Sequence, residues 1–442
     1  MKDDSDKYNF PQPRYTSYPT HPNWNNAVDD LVISNALADK KLKNLSLYVH
    51  IPFCEQLCTY CGCNTRITKN HAVEKVYISH LLEEAKLYAE KLNPSAVIDA
   101  IHLGGGTPTF FAPANLFRLI YDLKDIFRFV PGVYSFEAHP AHTKPSQLEA
   151  LRMHDFNRIS IGVQDFSQNV LSAINRPQQP EQIIMLVNTA KKLGFSINFD
   201  MVYGLPFQTL NEISQNLAYI KQLLPGRIAW YAYAHIPWKK PGQRGYSENN
   251  LPNAMERSLM YNQIQTGLQE LGYQPIGFDH FALPDDELCK SYHSKTLHRN
   301  FMGYVEKSSD ALLGIGASSI SEFPRAYWQN EKLNEIYYQR ILKAELPVIY
   351  GHSLQDSEIT LREQINQLLC YMEVTVHPDF EQILSIAKRK LMHEMLEDGL
   401  ITFNLNTLKV TLKGRKHLRL AAALTDPAFE PQISSTVYSS GV

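Results

Sequence analysis

The sequence predicts an α/β protein of parallel strands, a barrel in preference to the doubly wound sheet that the same alternation would also satisfy, with a C-terminal helical, winged-helix-like domain. Three observations predict it. Short β-branched or aromatic runs alternate with longer stretches of helical periodicity from residue 45 onward, which implies parallel strands and right-handed crossovers. Each run hands over to polar or glycine residues at its C-terminal end, where barrels build their sites. After about residue 350 the alternation stops and helical patterns dominate.

The strand runs, in order, are LSLYVHIP ending at Pro52, AIHLGGG ending at Gly106, YSFEAHP ending at Pro140, RISIGVQD ending at Asp165, INFDMVYGLP ending at Pro206 and RIAWYAYAHIP ending at Pro237. Between them lie stretches such as VEKVYISHLLEEAKLYAEKL, Val73 to Leu92, whose apolar residues recur at three and four positions as one helix face requires. Tyr48-Val-His-Ile-Pro52 echoes Tyr233-Ala-His-Ile-Pro237, so the two could mark equivalent strand ends. Further on, Thr360-Leu-Arg-Glu363 offers a capping box for a helix through Met372. A second helix is expected from Asp379 to Glu397, ending at Asp398-Gly399, and Leu405-Asn406 reads as a hairpin turn. The expected organisation is an N-terminal segment at 1–44 covering the active site, a barrel with its extension at 45–350, and a helical domain at 351–442. The ends, MKDDSDK and SSTVYSSGV, are expected to be mobile tails.

Composition narrows the function. A net charge of -2, with 44% hydrophobic and 20% charged residues, gives no global attraction to nucleic acid or anionic membrane. Neither a secretory leader nor a run of about 18 apolar residues is visible, so a cytoplasmic protein with no membrane span is expected. In that compartment disulfides rarely persist.

Yet four of the six cysteines crowd into Cys54-Glu-Gln-Leu-Cys-Thr-Tyr-Cys-Gly-Cys63. Structural zinc favours two separated pairs that reach one ion from two sides, and no second pair exists. An iron-sulfur cluster offers several irons, so Cys54, Cys58 and Cys61 could each take a different one. Three ligands on a cubane leave one iron open for substrate or cofactor. Cys289 and Cys370 stand alone and read as small buried hydrophobes.

The CxxxCxxC loop after a first strand, with Tyr60 before its third cysteine, resembles the radical S-adenosylmethionine superfamily. The surrounding segments are more specific: PRYTSYPT at 13–20, YVHIPFC to Cys54, CGCN to Asn64, GGGTPTF to Phe110, NRISIGVQDF to Phe166, NRPQ to Gln178, DMVYGLPFQT to Thr209, YAHIP to Pro237, FDHFALPDDEL to Leu288 and LHRNF to Phe301. Together they resemble the oxygen-independent coproporphyrinogen III oxidase family across nearly the whole chain, which implies a partial (β/α)6 TIM-type barrel with a C-terminal helical domain.

The resemblance implies one [4Fe-4S] cluster on Cys54, Cys58 and Cys61 and two molecules of S-adenosyl-L-methionine. Tyr48, Gly105, Glu137 and Ile320 match residues holding the molecule on iron. Tyr60, Gly106, Thr107, Gln164, Arg176, Asp200 and Ala234 match those around the second. Glu137 and Cys63 are the implied catalytic residues, Cys63 as a free thiol beside substrate or as plain packing. Reductive cleavage would give a 5′-deoxyadenosyl radical, and two propionates of coproporphyrinogen III would become vinyl groups, giving protoporphyrinogen IX. The partners implied are the porphyrinogen, and a flavodoxin or ferredoxin system as electron donor; a monomer is expected. The tetracarboxylate substrate needs cations, for which Arg14, Arg66, Lys69, Arg244 and Arg299 are candidates, with His298 beside them. Gly104-Gly105-Gly106 would let backbone approach the cofactor closely.

The match departs from the family at His139 and Ala141, where Asp and Arg are usual, and at Met302, where glutamine is common. A related radical enzyme acting on another substrate, such as a methyltransferase, and a haem-binding or delivery protein are therefore the alternative readings.

Overall fold

The computed structural model describes residues 7–431 except 9 and 27, so most of both expected tails lies outside the described residues. Each quoted run forms a strand: β1 (Asn44–Ile51), β2 (Val97–Gly105), β3 (Phe129–Ala138), β4 (Arg158–Gln164), β5 (Ser196–Tyr203) and β6 (Arg227–Ala232). They pair in parallel in chain order. Helices such as Val73–Ala89, Pro113–Ile126, Pro180–Lys192 and Leu210–Leu223 connect or follow them. Their buried faces, for example Tyr77, Leu81, Ala85 and Tyr88 on the first, pack on the apolar outer face of the strands.

The sheet is wider than six strands. Ala311–Ile315 adds in parallel beside β1, and Ile320–Phe323, Ala326–Asn330 and Val348–Ser353 extend it antiparallel. On the far edge His280–Ala282 and Gln274–Ile276 continue it from β6, also antiparallel. The curved sheet is thus a partial barrel flanked by antiparallel wings, twelve strands in all among the described residues.

Ion pairs close the strand-start end. Glu306 meets Arg158 at 2.5 Å and Arg227 at 2.7 Å, Arg227 also grips Asp286 at 2.5 Å, and Lys307 reaches Asp99 at 2.8 Å. Burial works against the Glu306 charge, but Arg227 and Arg158 outweigh it and bring its pKa down to about 2.

A second core gathers the C-terminal helices with Tyr8, Tyr15 and Tyr18 of the N-terminal segment. Its helix Asp356–Tyr371 begins one turn before the expected capping box, with Gln355 as cap. The expected second helix is two, Phe380–Ile383 and Ile386–Glu397, because Leu384 turns extended and Ser385 caps a new start. The hairpin is present, with Leu405 and Asn406 at φ of 47° and 63°. A third strand, Glu373–Thr375, completes its sheet. Cys289 and Cys370 are buried, as their isolation suggests. Among the described residues no helix is long and apolar enough to cross a membrane.

Candidate active site

The C-terminal ends of β1 to β6 open into one cavity of about 960 Å³ that runs the height of the barrel. Cys54, Cys58, Cys61 and Cys63 line it at one end, on the loop that follows β1. That loop is pinned at both sides. Arg66 N donates to Pro52 O at 2.6 Å, Thr68 N to Cys54 O at 2.9 Å, and Thr59 N to Ile174 O at 3.0 Å. Cys54 Sγ lies 3.4 Å from Thr107 Oγ1, and Arg176 Nη1 donates to Cys58 Sγ at 3.3 Å. Among the described residues no three His, Cys, Asp or Glu side chains converge as a single metal ion would require. Three thiols spread around one pinned loop match a cluster with a separate iron for each. A cationic Arg176 beside Cys58 suits thiolate, the ligating form.

The glycines after β2 serve the protein first. A Cβ on Gly105, whose φ is 111°, would stand 2.6 Å from the His50 ring, and one on Gly106 would meet the Pro52 and Phe53 backbone at 2.8 Å. The close approach expected there is therefore already made by the strand that carries the cysteine loop. His50 itself is fixed by Tyr48 Oη at 3.1 Å and Asn64 O at 3.0 Å.

Charged side chains project from successive strand ends. Glu137, ending β3, accepts from Gly105 N at 3.2 Å and faces His102 at 3.4 Å. Gln164 ends β4 after a register shift and takes a φ of 65°, which turns the chain sharply at the cavity wall. Arg176 is held by Gln178 Oε1 at 3.1 Å and Gly162 O at 2.5 Å, so its guanidinium has one orientation. Asp200, on β5, accepts from Ser160 Oγ at 2.5 Å and Asn198 Nδ2 at 3.0 Å. Burial lifts its pKa to about 6 despite those donors, with Glu137 adding to the rise. His139 lines the cavity with Nδ1 accepting from Ala141 N at 3.2 Å, and burial keeps it neutral. The ring therefore presents Nε2–H.

Most of the expected site residues share this cavity: the four clustered cysteines, Tyr60, Gly105, Gly106, Thr107, Glu137, Gln164, Arg176, Asp200 and Ala234. Tyr48 and Ile320 do not line it. Tyr48 sits behind Gly104, and Ile320 packs beside Trp24 and Tyr327. The echo between 48–52 and 233–237 does not mark one register, since β1 runs to Ile51 whereas β6 stops at Ala232. Met302 also faces the cavity, as do Gln12, Arg14, Tyr15, Thr16 and Thr20 of the N-terminal segment. That segment is tied to the C-terminal domain, where Tyr15 Oη and Tyr18 Oη donate to the two oxygens of Asp426 at 2.9 and 3.2 Å.

Of the cationic candidates, Arg14 alone lines the cavity directly. Arg66 pairs with Glu335 on the surface at 2.6 Å, Arg244 bonds Pro237 O from an exposed position, and Lys69 is exposed. His298 faces a separate, smaller cavity. Tyr231, His280 and Tyr304 line the main cavity without having been singled out as site residues, although Tyr231 lies in the sixth strand run and His280 in the FDHFALPDDEL segment.

Comparison with known proteins agrees with the geometry. The profile of the Radical SAM superfamily matches residues 48–220. An oxygen-independent coproporphyrinogen III oxidase of Salmonella typhimurium is 36% identical over 425 residues, covering 93% of this chain and 92% of its own. One from Synechocystis is 34% identical and covers 99% and 97%. The solved structure described as coproporphyrinogen III oxidase (HemN) from Escherichia coli, a radical SAM enzyme, superposes with a TM-score of 0.88 at 34% identity, covering 94% of this chain and 98% of that one. With its three-thiol loop, barrel cavity and full-length similarity, the chain belongs to the oxygen-independent coproporphyrinogen III oxidase family of the radical SAM superfamily.

Proposed function

We propose that the protein converts two propionate side chains of coproporphyrinogen III to vinyl groups, giving protoporphyrinogen IX without oxygen. The observation that carries this is the meeting of Cys54, Cys58 and Cys61 with Glu137, Arg176 and Asp200 in one deep cavity, in a chain similar over its length to enzymes of that name. When bound, a [4Fe-4S] cluster and S-adenosylmethionine supply a 5′-deoxyadenosyl radical that abstracts hydrogen. Each propionate then loses one hydrogen atom, one carbon dioxide and one electron, and a carbon-carbon double bond forms. The first electron comes from a flavodoxin or ferredoxin type of donor, and a separate acceptor takes the last.

The chain's residues hold and shield. Cys54, Cys58 and Cys61 would ligate the cluster. Gly105 and Glu137 are assigned to the cofactor molecule at the cluster, with Tyr48 and Ile320 supporting it from behind the cavity wall; Tyr60, Gly106, Thr107, Gln164, Arg176, Asp200 and Ala234 are assigned to a second. Arg176, already oriented by Gln178 and Gly162, can clamp a carboxylate with its fork. Glu137 can accept from an ammonium group, and Asp200 from ribose hydroxyls or an amine. The N-terminal segment, tied to Asp426 and lining the cavity with Gln12, Arg14, Tyr15, Thr16 and Thr20, would shield it from bulk water, which protects reactive species. Cys63 is assigned as a free thiol facing the same space.

An anaerobic assay tests the proposal. Protein reconstituted with iron and sulfide receives S-adenosylmethionine, dithionite and coproporphyrinogen III, and the porphyrins are separated after oxidation. Vinyl-bearing products with methionine and deoxyadenosine are expected. Deoxyadenosine without vinyl products would remove the substrate assignment, and S-adenosylhomocysteine would point to a methyltransferase.

A further inference from the structure

Beside the cavity lies a concentration of buried guanidinium groups that the cluster and cofactor assignments do not use. Arg299, Arg415 and Arg419 are each at most 8% exposed. They come from the strand His298–Asn300 and from the start of the C-terminal helix Leu418–Thr425 and the turn before it. Arg257, on the helix Ala254–Glu270, donates to Tyr233 O at 2.9 Å behind the same wall. Arg14 arrives from the N-terminal segment, within electrostatic reach of Arg257, Arg299 and Arg419.

Asp279 is the acid that Arg14, Arg299, Arg415 and Arg419 share, and its carboxylate already accepts from His280 Nδ1 at 2.6 Å. Part of the positive charge is spread over aromatic faces. Arg299 lies 4.9 Å from the Phe278 ring and 4.8 Å from Tyr304, and Arg419 lies 5.8 Å from Phe278. Even so, among the described residues Nε of Arg257, Arg299 and Arg415 has no hydrogen-bond partner. Buried charge of one sign in such excess is unfavourable unless an anion completes it.

The only member of the group on the cavity wall is Arg14, flanked there by Tyr231, His280 and Tyr304. Its side chain is accessible although it lies deep, because the surface it shows belongs to the cavity. A carboxylate entering at Arg14 would meet one guanidinium directly and the field of the others behind it.

We propose that Arg14, backed by Arg257, Arg299, Arg415 and Arg419, forms a carboxylate-binding site for a side chain of the substrate. The ligand class is an organic polycarboxylate, and the assignment of that carboxylate to a tetrapyrrole rests on the function proposed above. Arg14 comes from a segment whose neighbours Tyr15 and Tyr18 are tied to Asp426. Substrate binding would therefore brace the N-terminal segment against the C-terminal domain.

The test is direct binding to the reconstituted full-length protein, followed by fluorescence. Coproporphyrin III, with four carboxylates, is compared with etioporphyrin, which has none. Arg14→Gln should weaken coproporphyrin III roughly 10- to 100-fold and leave etioporphyrin unchanged, with Arg14→Lys intermediate because it keeps charge but loses the fork. Arg299→Gln should weaken coproporphyrin III in the same direction. In turnover, KM for coproporphyrinogen III should rise more than kcat falls. Unchanged binding of coproporphyrin III in Arg14→Gln would overturn the site, and so would an equal loss of both porphyrins accompanied by a lower Tm. Wild-type protein that binds coproporphyrin III through Arg14 but forms no vinyl product would instead overturn the proposed reaction and leave the site standing.

Discussion

Asp200→Asn should stabilise the folded protein while impairing its chemistry. Burial raises the pKa of Asp200 from 3.8 to about 6. The folded state therefore holds a proton that the unfolded chain releases between those two values, and stability falls as pH rises through that window. Above it the ionised carboxylate costs about 2 pKa units, or ~3 kcal/mol; because one edge faces cavity water, ~1–3 kcal/mol is the working range. Asparagine has the same shape and can keep partners for Ser160 and Asn198 without the charge. Urea melts of cluster-free protein should show the variant more stable by ~1–3 kcal/mol at pH 7.5. At pH 5 the gap should be about half as large, because the wild-type carboxyl is then mostly protonated in the folded state only. Reconstituted Asp200→Asn should meanwhile bind S-adenosylmethionine more weakly, by roughly 10-fold or more. A variant that is less stable than wild type, or whose advantage does not change with pH, would show that Asp200 carries no buried-charge penalty.

Other perturbations give separable outcomes. Cys58→Ala should abolish both the brown chromophore and deoxyadenosine formation, whereas Cys63→Ala should keep the chromophore; iron analysis and visible spectra distinguish the two. Gly106→Ala places a Cβ against the Pro52 and Phe53 backbone, which should cost ~2–4 kcal/mol in a denaturant melt and loosen cluster retention. Asp426→Asn weakens the acceptor shared by Tyr15 and Tyr18. About 1–2 kcal/mol of stability should be lost, and trypsin should cut the N-terminal segment faster than in wild type.

The barrel is legible because each of its six strands carries a β-branched or aromatic run, and in runs such as YSFEA and RISIGVQ the apolar residues that face the helices alternate with residues that line the cavity. The wings are not legible. Ala326–Asn330, all five residues buried, carries polar Gln329 and Asn330 that look like loop, yet inside the fold Asn330 Nδ2 donates to Glu84 and Gly316. The break at Leu384 was hidden for a similar reason, since the surrounding apolar residues fit one helical period and only the backbone turn separates them. Site residues on strand ends and on the cysteine loop could be placed because their neighbours in sequence are also neighbours in space. Of the arginine group only Arg14 and Arg299 were among the expected cations; Arg257, Arg415 and Arg419 were not, since the members lie between residues 14 and 419 and are brought together only by packing of the N-terminal segment and C-terminal domain on the barrel.

In the proposed function Cys54, Cys58 and Cys61 would hold a cluster of several irons whose remaining coordination site receives S-adenosylmethionine. The most direct measurement is metal and acid-labile sulfide analysis of anaerobically purified protein, with EPR of the reduced form before and after S-adenosylmethionine is added. About four iron and four sulfide per chain and an EPR spectrum that changes when the cofactor binds are expected. One zinc per chain with no labile sulfide, or a cluster signal indifferent to S-adenosylmethionine, would contradict it.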